Sequence, residues 1–113
     1  LWLIDLDGTI LGHNSHKSGS DYLLEGVREF WTSIPSTDMI ILITARSANY
    51  KNKTEEFLNE NAIRFNRIIY DVPVGERILI NDRKTSGLLT ALSLNLERNK
   101  GFGGLSIELD KNL

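Results

Sequence analysis

Apolar residues along the chain alternate between two patterns. Short continuous runs (Leu1 to Ile4, Met39 to Ile43, Ile68 to Tyr70 and Arg77 to Ile80) each stop at a polar cluster. Runs of this length suit strands buried on both faces of a parallel sheet. Between them the period turns helical. Leu23, Leu24, Val27, Phe30 and Trp31 share one helical face, with Glu25, Arg28 and Glu29 turned outward. Ser20 or Asp21 is placed to cap that helix and Gly26 weakens it slightly. Ile34, Pro35 and Ser36 close it, and the spacing makes Phe30 and Trp31 core residues. A second helix spans about Lys51 to Asn61, capped by Asn49 or Asn52, with Phe57 and Leu58 on its apolar face.

Ile63 to Tyr70 reads as the third strand, with Ile68 to Tyr70 its buried part, and a turn at Asp71 to Gly75 leads to the fourth, Arg77 to Ile80. Leu92, Leu94 and Leu96 alternate with polar residues and predict a fifth strand. Leu105 to Leu109 alternates too, as an edge strand, a hairpin partner or a C-terminal extension, after a flexible loop at Asn99 to Gly104. Ile10 to Gly19 is polar and irregular, a small hairpin or flap over the end of the first strand. This alternation predicts an α/β fold: one domain over residues 1–113, three layers, with a mostly parallel, doubly wound, Rossmann-like sheet and helices on both faces.

Composition narrows the class without naming a function. With 113 residues, 41% of them hydrophobic and 25% charged, the chain suits one globular domain with a real core. A net charge of −2 argues against a broad nucleic-acid surface. No apolar run is long enough to span a membrane, and no basic, apolar leader precedes the first strand. The absence of an initiator Met fits a piece trimmed from a longer chain. The lack of cysteine fits the cytoplasm.

The chemistry lies at the strand ends. The first strand runs into Asp5-Leu6-Asp7-Gly8-Thr9, two carboxylates at i and i+2 followed by a glycine turn and a hydroxyl. Two like charges this close need compensation, and Mg²⁺, which binds through one or two carboxylates and keeps room for water and phosphate, is the expected partner. The second strand ends in Thr44-Ala45-Arg46, a hydroxyl and a polar loop that suit phosphate binding, with Arg46 a candidate substrate contact. The fourth ends in Asn81-Asp82-Arg83-Lys84. In open α/β sheets ligands sit at the carboxyl ends of strands, so Asp5, Asp7, Thr44 and Asp82 point to a single site. His13 and His16 form an isolated H-x-x-H without further ligands at zinc spacing. They read as exposed loop residues, contact with a substrate being the milder role left open.

Asp5 to Thr9 resembles the first motif of the haloacid dehalogenase (HAD) superfamily of phosphohydrolases. Thr44 after its apolar strand resembles the second motif, and Asp82 the fourth, with Asn81 where that family usually has Gly or Asp. The resemblance implies a Mg²⁺-dependent phosphomonoesterase that works through an aspartyl-phosphate. It makes Asp5 the nucleophile and a metal ligand. Asp7 becomes the general acid and base, lending its backbone carbonyl to the metal. Thr44, with Ala45 and Arg46 beside it, takes the phosphoryl group, and Asp82 completes the metal shell. The Lys or Arg of the third motif has no clean owner: Val72-Pro73 stands where small members carry Lys-Pro, and Arg77, Lys84 and Arg67 are the candidates.

The stretches between Asp7 and Thr44, and between Thr44 and Asp82, are filled by the flap, single helices and a strand, so the resemblance implies a capless member. Such members admit bulky substrates or borrow a neighbouring subunit, so a second copy of the chain is an expected partner. The T-A-R after the second strand and the Pro-x-Gly turn are similar to small HAD proteins linked to capsule or cell-surface sugar biosynthesis. A sugar or polyol phosphate is the preferred small-molecule substrate. The alternatives are a phosphatase acting on nucleic-acid ends, a non-catalytic phosphate-binding or scaffold domain, and a phosphotransferase or mutase.

Overall fold

The computed structural model describes residues 1–110. Its centre is a three-stranded parallel sheet in the order β1-β2-β3, with β1 at Trp2–Asp5, β2 at Ile40–Ile43 and β3 at Arg67–Ile69. Trp2 pairs with Ile40 and Asp5 with Ile43, while Ile41 pairs with Arg67 and Ile43 with Ile69. The helices are α1 (Ser15–Ser18), α2 (Val27–Ser33) and α3 (Lys51–Glu60), the last entered through a 3₁₀ turn at Ala48–Tyr50. A parallel sheet with helical connections is an α/β arrangement, as the alternation of patterns predicts. No described helix is long and apolar enough to cross a membrane.

The two faces of the sheet differ. Ile4, Ile40 and Leu42 are buried with Val27, Phe30 and Trp31 of α2 and Leu58 of α3 in one core. Right-handed crossovers that step twice in the same direction put both helices on one face. On the other face Leu3 is 49% and Ile69 50% exposed. The expectation of strands buried on both faces therefore holds for β2 alone in part, and the described helices cover one face rather than two.

Several boundaries shift for local reasons. The first long helix starts at Val27, not at Ser20 or Asp21. Gly26 is its N-cap at φ 77°, a left-handed conformation that glycine adopts without steric cost. Leu23 and Leu24 precede the helix; Leu23 bridges to Leu11 of the flap instead. Ser47, not Asn49 or Asn52, caps the 3₁₀ entry to α3, its side chain accepting from the Asn49 amide. The third strand is confined to Arg67–Ile69.

The predicted fourth and fifth strands are absent among the described residues: Arg77 to Ile80, Leu92 to Leu96 and Leu105 to Leu109 have no regular structure. A parallel neighbour needs a crossover of a dozen or more residues, and residues 70–76 are too few to supply one after β3. The loop at Asn99 to Gly104 is not a bare turn. Its Phe102 is buried, with its ring centroid 4.5 Å from that of Phe30 and 6.3 Å edge-on to Trp31.

Candidate functional site

Strand β1 ends at Asp5, and the chain turns at once. Gly8, at φ 85°, allows the turn that returns Ile10 and Leu11 to the core, and the Leu6 carbonyl accepts from both of their amides. β2 ends beside it, so the segment from Asp5 to Asp7 and Thr44 come together at the carboxyl edge of two adjacent parallel strands. The Thr44 hydroxyl donates to Asp7 Oδ2 at 2.6 Å and accepts from the Arg46 amide at 3.0 Å.

Arg46 is the hub of this edge. Its side chain is buried, and its guanidinium spans two carboxylates. Nε donates to Asp7 Oδ1 at 2.9 Å. Nη1 and Nη2 donate to the two oxygens of Asp21 at 3.0 and 2.7 Å, and Nη1 also reaches the buried Thr54 hydroxyl at 2.9 Å. Burial alone would lower the proton affinity of Arg46, but Asp21 and Asp7 raise it above its ordinary value. For Asp21 burial works upward, and the hydrogen bonds from Arg46 and Ser15 outweigh it and hold the carboxyl below its usual range. Two desolvated carboxylates sharing one fork-shaped cation are well matched, because each keeps a charge-assisted partner. The guanidinium expected to meet substrate is thus turned inward onto protein groups.

Asp5 is less enclosed. Oδ2 accepts from the Thr9 hydroxyl at 2.9 Å, and Oδ1 from Arg77 Nη1 at 3.0 Å. Both partners of this pair are well exposed, at 43% for the Arg77 side chain and 31% for Asp5. Among the cations considered from the sequence, Arg77 is brought onto Asp5. Arg67 opens β3, in register with Ile41, two pairs back from the carboxyl ends of the strands. The Lys84 backbone closes an exposed turn with Gly87 and Leu88. Ala45 is exposed beside Thr44.

Asp82 lies exposed in the irregular stretch, its carbonyl accepting from the Asn81 side chain and the Thr90 hydroxyl. The carboxylates of Asp5 and Asp7 are oxygen donors of the kind Mg²⁺ takes. The arrangement does not fit the ion, because arginines already compensate both charges. Among the described residues, no three His, Cys, Asp or Glu side chains form a group that could hold a metal.

The flap supplies what the sequence did not reveal. His13 is exposed, but the His16 side chain is only 7% exposed and stands 3.9 Å from Asp7. The expectation of two exposed histidines fails for His16 because α1 turns its ring inward onto Tyr50, edge-on at 4.5 Å. Asp21, expected as a helix cap, is the second anchor of Arg46. Neither role has a sequence signal, since both depend on how the flap folds back. No family model matches the chain, and no curated protein or solved structure matches it either.

Proposed function

We propose that this chain is a phosphomonoesterase of the HAD type, acting through an aspartyl-phosphate on a sugar or polyol phosphate in the cytoplasm. The observation that carries the reading is the convergence of Asp5, Asp7 and Thr44 at one edge of β1 and β2, with Asp5 open to solvent. The reading brings a single capless HAD-like domain and Mg²⁺ held by Asp5, Asp7 and Asp82. The described arrangement does not assemble those three, so the chemistry below is derived from the residues alone.

The Asp5 carboxylate attacks phosphorus as the bond to the leaving oxygen breaks, and Asp7, entering the step as the neutral acid with its proton on the Oδ2 that Thr44 has released, gives the leaving oxygen that proton, leaving an acyl phosphate and an alcohol. Water then attacks phosphorus, Asp7 takes its proton, and phosphate leaves with the Asp5 carboxylate restored. Arg77 neutralises charge between nucleophile and phosphate, and Thr44 orients the phosphoryl oxygens. Arg46 holds Asp7 in place.

The test is phosphate release from p-nitrophenyl phosphate and a panel of sugar phosphates, with Mg²⁺ or EDTA, beside Asp5→Asn. The expected result is release that Asp5→Asn abolishes, and loss of release in EDTA would show that an ion displaces Arg77 from Asp5 when it binds. The compensation of both carboxylates by arginine favours a second reading, a phosphate-binding domain without turnover. Phosphate binding with no release from any compound would decide for it.

A further inference from the structure

We propose that His16 is a positioning residue of this site, its Nδ1–H serving as a reserve donor that holds the Asp7 carboxylate. The inference rests on the reading of Asp7 given above. The His16 side chain is more than nine-tenths buried, and its Nδ1 has no hydrogen-bond partner among the described residues. Buried polar atoms are nearly always satisfied, so an orphan aimed at a site asks for an explanation. Nδ1 stands 3.9 Å from Asp7 Oδ1, so a shift of about 1 Å makes a hydrogen bond. A carboxylate repels a bare lone pair, which makes the Nδ1–H tautomer the one that suits this place.

The need for a reserve donor follows from Thr44. Its hydroxyl is spent on Asp7 Oδ2, yet in turnover it must serve the phosphoryl group. Asp7 then keeps the Arg46 bond at Oδ1, where a second lone pair is open to His16.

The imidazole is delivered rigidly. Tyr50 packs edge-on against it. The Ser15 hydroxyl donates to Asp21 Oδ1 at 2.6 Å, which ties α1 to the Arg46 hub. Asn99 clasps the flap to the catalytic turn: its Oδ1 accepts from the His13 amide at 2.8 Å, and its own amide donates to the Gly8 carbonyl at 2.9 Å. The charges that act on the ring are Asp7, Arg46, Asp21 and Lys17.

The first readout needs no activity. Imidazole ¹⁵N spectra at pH 8, compared with His16→Phe for assignment and with Asp7→Asn, report the tautomer. The Nδ1–H form, perturbed in Asp7→Asn, is expected; the Nε2–H form would overturn the proposal whether or not the protein turns over. The second readout is kinetic. His16→Phe keeps the ring against Tyr50 but lacks the donor, so kcat falls about 10- to 100-fold with KM nearly unchanged, as for a misplacement of about 1 Å. His16→Asn places an amide N–H where Nδ1 stands and recovers most of the loss. Equal kcat in wild type and His16→Phe, or an Asn variant that folds yet does no better than Phe, would also overturn the proposal. If the wild type releases no phosphate, the phosphatase reading fails and the tautomer alone decides for or against the Asp7 contact.

Discussion

Residues 1–70 and 71–110 carry similar apolar runs and meet opposite fates. The run from Met39 to Ile43 supplies the central strand at Ile40–Ile43, with Ile40 and Leu42 fully buried; Ile78 and Ile80 are 79% and 90% exposed. Every described helix and strand lies in the first region, and Phe102 alone in the second is a buried hydrophobic residue of the core. The difference lies in what surrounds each run. β2 has a strand on either side and helices returning over it, whereas Arg77 to Ile80 follows β3 after a connection too short for a crossover. The second region is fastened at separate points instead: Arg77 on Asp5, Asn99 on Gly8 and His13, and Phe102 among the aromatic rings.

The largest expected effect comes from the hub of the first region. Arg46→Ala leaves Asp7 and Asp21 desolvated without their cation, and breaking a buried pair in this way costs about 3–5 kcal/mol. Urea unfolding would show it, and Arg46→Lys would rescue little because an ammonium cannot span both carboxylates. A loss under 1 kcal/mol would mean that the network is not what holds the strand ends together.

The same experiment on apolar residues sets the two regions side by side. Leu42→Ala removes fully buried methyl groups from the centre of the sheet and should cost about 2–5 kcal/mol. Ile80→Ala removes exposed ones and should stay within about 0.5 kcal/mol. Comparable losses at the two positions would show that Ile80 is buried in solution and that the second region has a packed partner.

The parts of the site that were legible in the sequence are those built within one strand and its turn. Asp5 to Thr9 and Thr44 to Arg46 are each local segments whose apolar run and polar end announce themselves, and a parallel sheet brings such ends together. The helix start is not legible because Leu23 and Leu24 match the helical face by spacing, while Gly26 sets the cap through its backbone. The roles of Asp21, His16 and Asn99 are not legible because their partners lie across the fold. An Asp beside a helix looks like a cap whether it caps or binds a distant arginine. The fourth strand failed for the converse reason: its residues suit a strand, and strand propensity says nothing about whether an edge is within reach.

Arg77→Ala tests the ion pair that ties the second region to Asp5. The pair with Asp5 is exposed, so stability should change by less than about 1 kcal/mol. On the proposed phosphatase reading, activity should respond more: a phosphate ester approaching Asp5 loses its neutralising cation, and kcat/KM should fall about 10-fold or more. Rising salt should narrow the gap between wild type and variant, since exposed charges are screened. An unchanged kcat/KM would assign the third-motif role to another cation and leave Arg77 a surface contact.

The smallest effect separates the regions by pH. His16 in the first region has its proton affinity lowered, by burial first and by Arg46 second. Its folded value lies below 6.5, so between the two values the unfolded chain binds more protons than the folded one. Stability contributed by the neutral imidazole is therefore complete above pH 6.5 and declines as pH falls towards the folded value. Asp21 adds the same sign lower down: its contribution is complete above its ordinary value of 3.8 and is lost as pH falls through the depressed folded value. A stability profile from pH 8 to 5 should slope downward in the wild type and flatten in His16→Phe. A slope that survives His16→Phe unchanged would show that the buried imidazole is not the group that titrates.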